Sequence, residues 1–103
     1  MVKDEKIENF VEELKKRFGE NLKKIILFGS RARGDSTEGS DYDFLLIFNE
    51  VTPEVKDSIR DLTGEMLYEY SVVFSAFPFT EEILNRKRYS PFIMNAQKEG
   101  VLL

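Results

Sequence analysis

The chain has 103 residues, with 15 Lys and Arg against 19 Asp and Glu for a formal charge of -4, and it contains neither cysteine nor histidine. That length supports one modest core and a single domain over 1–103, and the missing residue types exclude thiol nucleophiles, disulfides, Cys/His zinc sites and imidazole bases. Mild acidity argues against a broad nucleic-acid surface. Met1–Lys6 is polar and no apolar run approaches membrane-spanning length, so a cytoplasmic protein with no membrane and no nucleic acid among its partners is expected.

From the N-terminus, Lys3 to Phe18 sets Ile7, Phe10, Val11, Leu14 and Phe18 at spacings of three and four, which predicts an amphipathic helix stopped by Gly19. Lys23–Phe28 is short and almost wholly apolar after its lysines, as in a buried strand, and runs into Gly29-Ser30. Ser30 to Ser40, rich in Gly, Ser and charge, is a loop, with or without one helical turn. Asp41–Phe48 is a second apolar strand opening on two carboxylates. Thr52-Pro53-Glu54 starts a helix, with Thr as cap and Pro in the first position; Val55, Ile59, Leu62 and Met66 form its apolar face and Gly64 weakens it. The aromatic and β-branched run Tyr68 to Phe77 predicts a third strand, with Glu69, Ser71, Val73 and Ser75 on one face and Pro78 as its end. Thr80-Glu81-Glu82 and Ser90-Pro91 open two more helices, the last ending at Gly100 before the apolar Val101, Leu102 and Leu103. This order predicts an α/β or α+β fold, a sheet with helices packed on it, and leaves the strand order open.

The chemistry is concentrated around the first two strands. Residues two apart on a strand share a face, so Asp41 and Asp43 project together while Tyr42 and Phe44 face the other way. Paired carboxylates repel unless a cation lies between them, and Mg²⁺ accepts a few carboxylate oxygens, keeps waters and completes its shell with substrate phosphates. Gly29 lets backbone N–H groups approach a phosphate and Ser30 adds a hydroxyl donor. Together these features describe a site for a nucleoside triphosphate.

Gly29-Ser30, ten residues, then Asp41-Tyr42-Asp43 is the GS-x10-D-x-D pattern, and the stretch LFGSRARGDSTEGSDYDFLLIF resembles the minimal nucleotidyltransferases (MNT) of the DNA polymerase beta-like nucleotidyltransferase superfamily. The ending PFIMNAQKEGVLL extends the likeness along the chain. The resemblance implies a nucleotidyltransferase-like fold, a mixed β-sheet flanked by helices, with Gly29 and Ser30 on the triphosphate and Asp41 and Asp43 on Mg²⁺. It further implies transfer of a nucleoside monophosphate, AMP from ATP, to a hydroxyl of a partner macromolecule. A HEPN-type protein would be that partner, the two acting as antitoxin and toxin with a toxin tyrosine as acceptor. Arg31 and Arg33 would offset phosphate charge. Active relatives carry a third carboxylate on a later strand; here the expected register puts Ser71 in its place, with Glu69 one pleat away. Either Glu69 completes the catalytic set, or the chain is a catalytically silent nucleotide-binding or interaction module that neutralises a partner by binding alone.

Plainer readings stand beside these. In the plainer reading Arg31 and Arg33, Arg33 more readily than Arg31, are surface residues that pair with Asp35 or Glu38. Arg86-Lys87-Arg88 answers a helix dipole rather than an RNA backbone. Tyr68, Tyr70, Phe74, Phe77 and Phe79 read as core or interface rather than as a base-stacking platform. A homo-oligomer is compatible with the sequence, which does not specify one.

Overall fold

The computed structural model describes residues 4–37 and 39–103, so the predicted start of the first helix at Lys3 lies outside the described residues, as does Glu38. Four strands form one mixed sheet in the order β3-β2-β1-β4. β1 is Leu22–Phe28, β2 Tyr42–Phe48, β3 Phe74–Thr80 and β4 Val101–Leu102; the helices are α1 Glu5–Phe18, α2 Ser30–Arg33, α3 Pro53–Tyr70, α4 Glu81–Arg86 and α5 Pro91–Glu99. β1 runs antiparallel to β2 and β4, whereas β3 runs parallel to β2. A parallel neighbour requires a crossover, and α3 supplies it.

α1 forms where Asp4 accepts the N–H groups of Lys6 and Ile7, and it stops at Gly19, whose φ is 53°. Its buried Ile7, Phe10 and Leu14 join Val55, Ile59, Leu62 and Met66 of α3 over one sheet face, against Ile25, Leu27, Tyr42, Phe44, Leu46, Phe48 and Phe74. Phe10 wedges between Phe44 and Phe74, with ring centroids 4.7 and 5.1 Å away. The other face carries Phe28, Leu45 and Ile47 under Ile93 and Ala96 of α5. β2 is therefore buried on both sides, which explains why Phe44–Phe48 is apolar without alternation.

The structure keeps a third strand but moves it from Tyr68–Phe77 to Phe74–Thr80. α3 does not falter at Gly64; it runs to Tyr70, and Ser71 caps it in the left-handed conformation with φ 55°. Tyr70 extends the apolar face one turn past Met66, and its hydroxyl accepts a hydrogen bond from Asn9 Nδ2 at 2.7 Å. Tertiary packing of that face outweighs the strand preference of the aromatic run. β3 starts only at Phe74 and continues through Pro78 to Thr80. Proline is tolerated because β3 is an edge: the Val73 carbonyl faces β2, accepting the Tyr42 N–H at 3.0 Å. Counting on by alternation turns residue 78 outward, where no donor is needed. The apolar end of the chain also pairs, as β4 against Ile26 and Leu27. Gly100 makes this possible, since a Cβ there would run into the Ala96 carbonyl and the Ile26 side chain.

Candidate functional site

The end of β1, the start of β2 and the start of β3 meet at one end of the sheet. Phe28 is the β1 partner of Asp43 and Ser75 its β3 partner. Asp43 lies on the face covered by α5, because Tyr42 and Phe44 on either side of it point into the α1/α3 core. Gly29 follows Phe28 with φ 79° and ψ -161°, a region essentially reserved for glycine. A Cβ at Gly29 would stand 2.6 Å from Asp43 Oδ2, so the glycine both makes the turn and leaves room for the carboxylate. Ser30 then begins the short helix α2. Its carbonyl accepts the N–H groups of Gly34 and Asp35, and the Gly29 carbonyl accepts those of Ala32 and Arg33. The N–H groups of Ser30 and Arg31, in the first turn, have no carbonyl within that turn to accept them.

Burial first, then the charges of Asp41 and Glu99, raise the Asp43 pKa above the ordinary carboxylate value. Asp41, just ahead of β2, is exposed. A carboxylate whose proton affinity is raised by a second one beside it forms, with that neighbour, a donor set that a divalent cation would relieve. Among the described residues no group of three Asp or Glu converges as a metal site. The Asp41–Asp43 pair could supply two carboxylates to a cation, which would need phosphate and water oxygens to complete its shell.

The two arginines diverge. Arg33 turns toward the Asp43 side, where Nη1 donates to Glu99 Oε2 of α5 at 2.9 Å and Nε to Asp35 Oδ2 at 3.0 Å; these bonds, Glu99 first, raise its pKa further. Arg31 lies instead over the ring of Tyr42. Glu69 is exposed near the end of α3, not on a strand beside Ser71, so the structure does not bring it to the pair through the sheet. β3 carries no carboxylate, and Ser75 occupies the place opposite Asp43. Sequence reasoning alone misses Glu99 and Ser75. Glu99 arrives from the far end of the chain, held by the close approach of Gly100 to β1; Ser75 depends on where α3 ends.

Next to Ser75 on the same face, Phe77 and Phe92 meet edge to face at 5.1 Å, and both are partly exposed. Phe74 belongs to the main core and Tyr70, half-buried, packs against it, as expected, while Tyr68 is 92% exposed. Arg86 pairs with Glu82 and Arg88 with the Asn85 side chain around the end of α4, in keeping with a solvated helix terminus. No described helix is long and apolar enough to cross a membrane.

Known proteins share this fold. Residues 7–102 match the family model of the nucleotidyltransferase domain. A "putative protein adenylyltransferase" of Methanocaldococcus jannaschii is 40% identical over 103 residues, covering 100% of this chain and 99% of that protein. A chain from a crystal structure of a toxin-antitoxin with AMP-PNP superposes with a TM-score of 0.62 at 17% identity, over 92% of this chain and 70% of that one. A chain from the complex of a tri-AMPylated Shewanella oneidensis HEPN toxin with its MNT antitoxin gives 0.54 at 13% identity, over 94% and 70%. The mixed sheet agrees with these structural matches, and on the family model over residues 7–102 and the similarity to the M. jannaschii protein along its whole length, the chain belongs to the nucleotidyltransferase domain family.

Proposed function

We propose that this protein is a Mg²⁺-dependent protein adenylyltransferase, moving AMP from ATP to a hydroxyl on a partner protein. The observation that carries this reading is the Asp43 carboxylate seated against Gly29, with Asp41 beside it and the Ser30 turn next to it. Asp41 and Asp43 would hold the cation, which when bound neutralises charge on the transferring phosphoryl group and the leaving pyrophosphate. Gly29 and Ser30 bind the triphosphate through backbone N–H groups and the hydroxyl. Arg33, on the same side of the sheet, supplies a fixed positive charge to it.

An in-line displacement sets the acceptor opposite the leaving group. With the phosphate-binding turn on the β1 side of Asp43, the acceptor hydroxyl approaches over Ser75 and the exposed edge of Phe77. Similarity to the M. jannaschii protein supports a protein acceptor, and the fold shared with chains of HEPN/MNT toxin-antitoxin complexes supports a HEPN-type toxin as that partner, with this chain as antitoxin. ATP as donor agrees with the AMP-PNP of a structural neighbour.

A second reading rests on one observation: Ser75, neutral, stands opposite Asp43 on β3. A silent module would bind nucleotide and partner there without transferring AMP. Incubation with α-labelled ATP, Mg²⁺ and the proteins of a cell lysate separates the two. The adenylyltransferase labels protein, Asp41→Asn abolishes the label, and Glu69→Gln leaves it unchanged. The silent module labels nothing until Ser75→Asp restores a carboxylate beside the pair.

A further inference from the structure

Arg31 does not face the carboxylates. Its guanidinium carbon is 4.2 Å from the centre of the Tyr42 ring, and Tyr42, 1% exposed, points into the α1/α3 core on the opposite face of β2 from Asp43. Arg31 Nε and Nη2 both donate to the Ser40 carbonyl, at 3.3 and 2.9 Å. That carbonyl belongs to the peptide unit whose nitrogen is Asp41's own. The ring beneath is fixed in turn: the Tyr42 hydroxyl donates to Asp4 Oδ2 at 2.6 Å, while Asp4 Oδ1 caps α1 by accepting the N–H groups of Lys6 and Ile7 at 2.8 and 3.3 Å. One chain of contacts therefore runs from the start of α1 through Asp4, Tyr42 and Arg31 to the peptide that aims Asp41.

We infer that Arg31 is a positioning residue for Asp41 rather than a phosphate ligand, the fork of Arg31 on the Ser40 carbonyl holding Asp41 where it meets the cation. The inference rests on the reading of Asp41 and Asp43 as Mg²⁺ ligands. Asp41 precedes the strand and is exposed; the Tyr42 N–H on the Val73 carbonyl anchors the peptide after it, and the Arg31 fork anchors the peptide before it. A planar guanidinium can stack on a ring and bond one carbonyl through two nitrogens at once; a lysine ammonium cannot. Groups that orient metal-bearing side chains without touching the metal typically cost about 10–100-fold in metal affinity when removed.

The test is calorimetric titration of inorganic tripolyphosphate over a series of Mg²⁺ concentrations, which reads binding without requiring turnover. Arg31→Ala should raise the Mg²⁺ concentration for half-maximal binding by about tenfold, while tripolyphosphate affinity at saturating Mg²⁺ stays at the wild-type value. Arg31→Lys, which keeps a cation over the ring and carries the test if the alanine variant does not fold, should show the same shift. Arg33→Ala should weaken binding at every Mg²⁺ concentration. Loss in Arg31→Ala that persists at saturating Mg²⁺ would make Arg31 a phosphate ligand, and an unchanged Mg²⁺ dependence would deny it a positioning role; either overturns the inference. If Asp41→Asn/Asp43→Asn binds Mg²⁺ and tripolyphosphate like the wild type, the metal-site reading itself fails, independently of Arg31.

Discussion

Asp43 is held in a fold that favours its protonated form. Burial first, then Asp41 and Glu99, raise its pKa above the unfolded value, so its contribution to stability is fully present at acid pH and is lost as pH rises through the folded pKa. In EDTA, Asp43→Asn should therefore match the wild type in thermal midpoint at acid pH and exceed it at neutral pH. Saturating Mg²⁺ should raise the wild-type midpoint and leave the variant's unmoved. A variant less stable than the wild type at neutral pH without metal would contradict this. Gly29→Ala should fail in two ways, by a backbone region that costs a non-glycine residue about 1–3 kcal/mol and by the approach to Asp43 Oδ2; its nucleotide affinity should fall with its thermal midpoint. At this scale the sequence is most legible where chemistry is local. Gly29, Ser30, Asp41 and Asp43 lie within fifteen positions of one another, and alternation along a strand decides their facing. Glu99 is illegible because nothing local to it says that α5 returns to β1. The opposite facing of Arg31 and Arg33 depends on the turn of α2, which a polar loop reading leaves open.

Among the elements, α3 decides where the third strand begins, and it is the element whose sequence misleads. Tyr68 to Phe77 has strand composition, yet Met66 and Tyr70 continue the face of Val55, Ile59 and Leu62, and burying that face overrides local preference. Pro78 reads as the end of a strand because a central strand does not tolerate it; an edge strand does. These two shifts move the position facing Asp43 from the expected Ser71 to Ser75, and they remove Glu69 from the sheet. Ser71, the helix cap at φ 55°, should accept glycine with a gain of about 0.5–1 kcal/mol. Gly64, inside a long helix with open space around a built Cβ, should accept alanine with a gain of about 0.4–1 kcal/mol. Both are read by chemical denaturation, and a loss of stability at either position would contradict a helix that runs unbroken to Tyr70.

Across the whole molecule, one sheet separates two apolar layers, and the site lies where the end of β1 meets the starts of β2 and β3. A sheet with flanking helices is predictable from the order of periodic segments, whereas the mixed strand directions follow from the motif's resemblance and not from the pattern. The pairing of the C-terminal Val101–Leu102 with β1 is not, since two residues carry no period. Asp4 ties this architecture to pH in the opposite sense from Asp43. Burial pushes its pKa up, but the hydrogen bonds from Tyr42, Ile7 and Lys6 outweigh that and leave it lowered. Its stabilising contribution is therefore present above the unfolded carboxylate pKa and is lost as pH falls through the folded one. Asp4→Ala should cost about 0.5–2 kcal/mol at neutral pH, and the deficit, read from denaturation midpoints across pH, should shrink on acidification.

The measurement that bears most directly on the proposed chemistry is titration of ATP into the purified protein with and without Mg²⁺, alongside Asp41→Asn/Asp43→Asn. Binding that requires Mg²⁺ in the wild type and is lost in the double variant is the predicted result. ATP binding of equal strength in both proteins, or indifference of the wild type to Mg²⁺, would contradict a metal-nucleotide site at the paired aspartates.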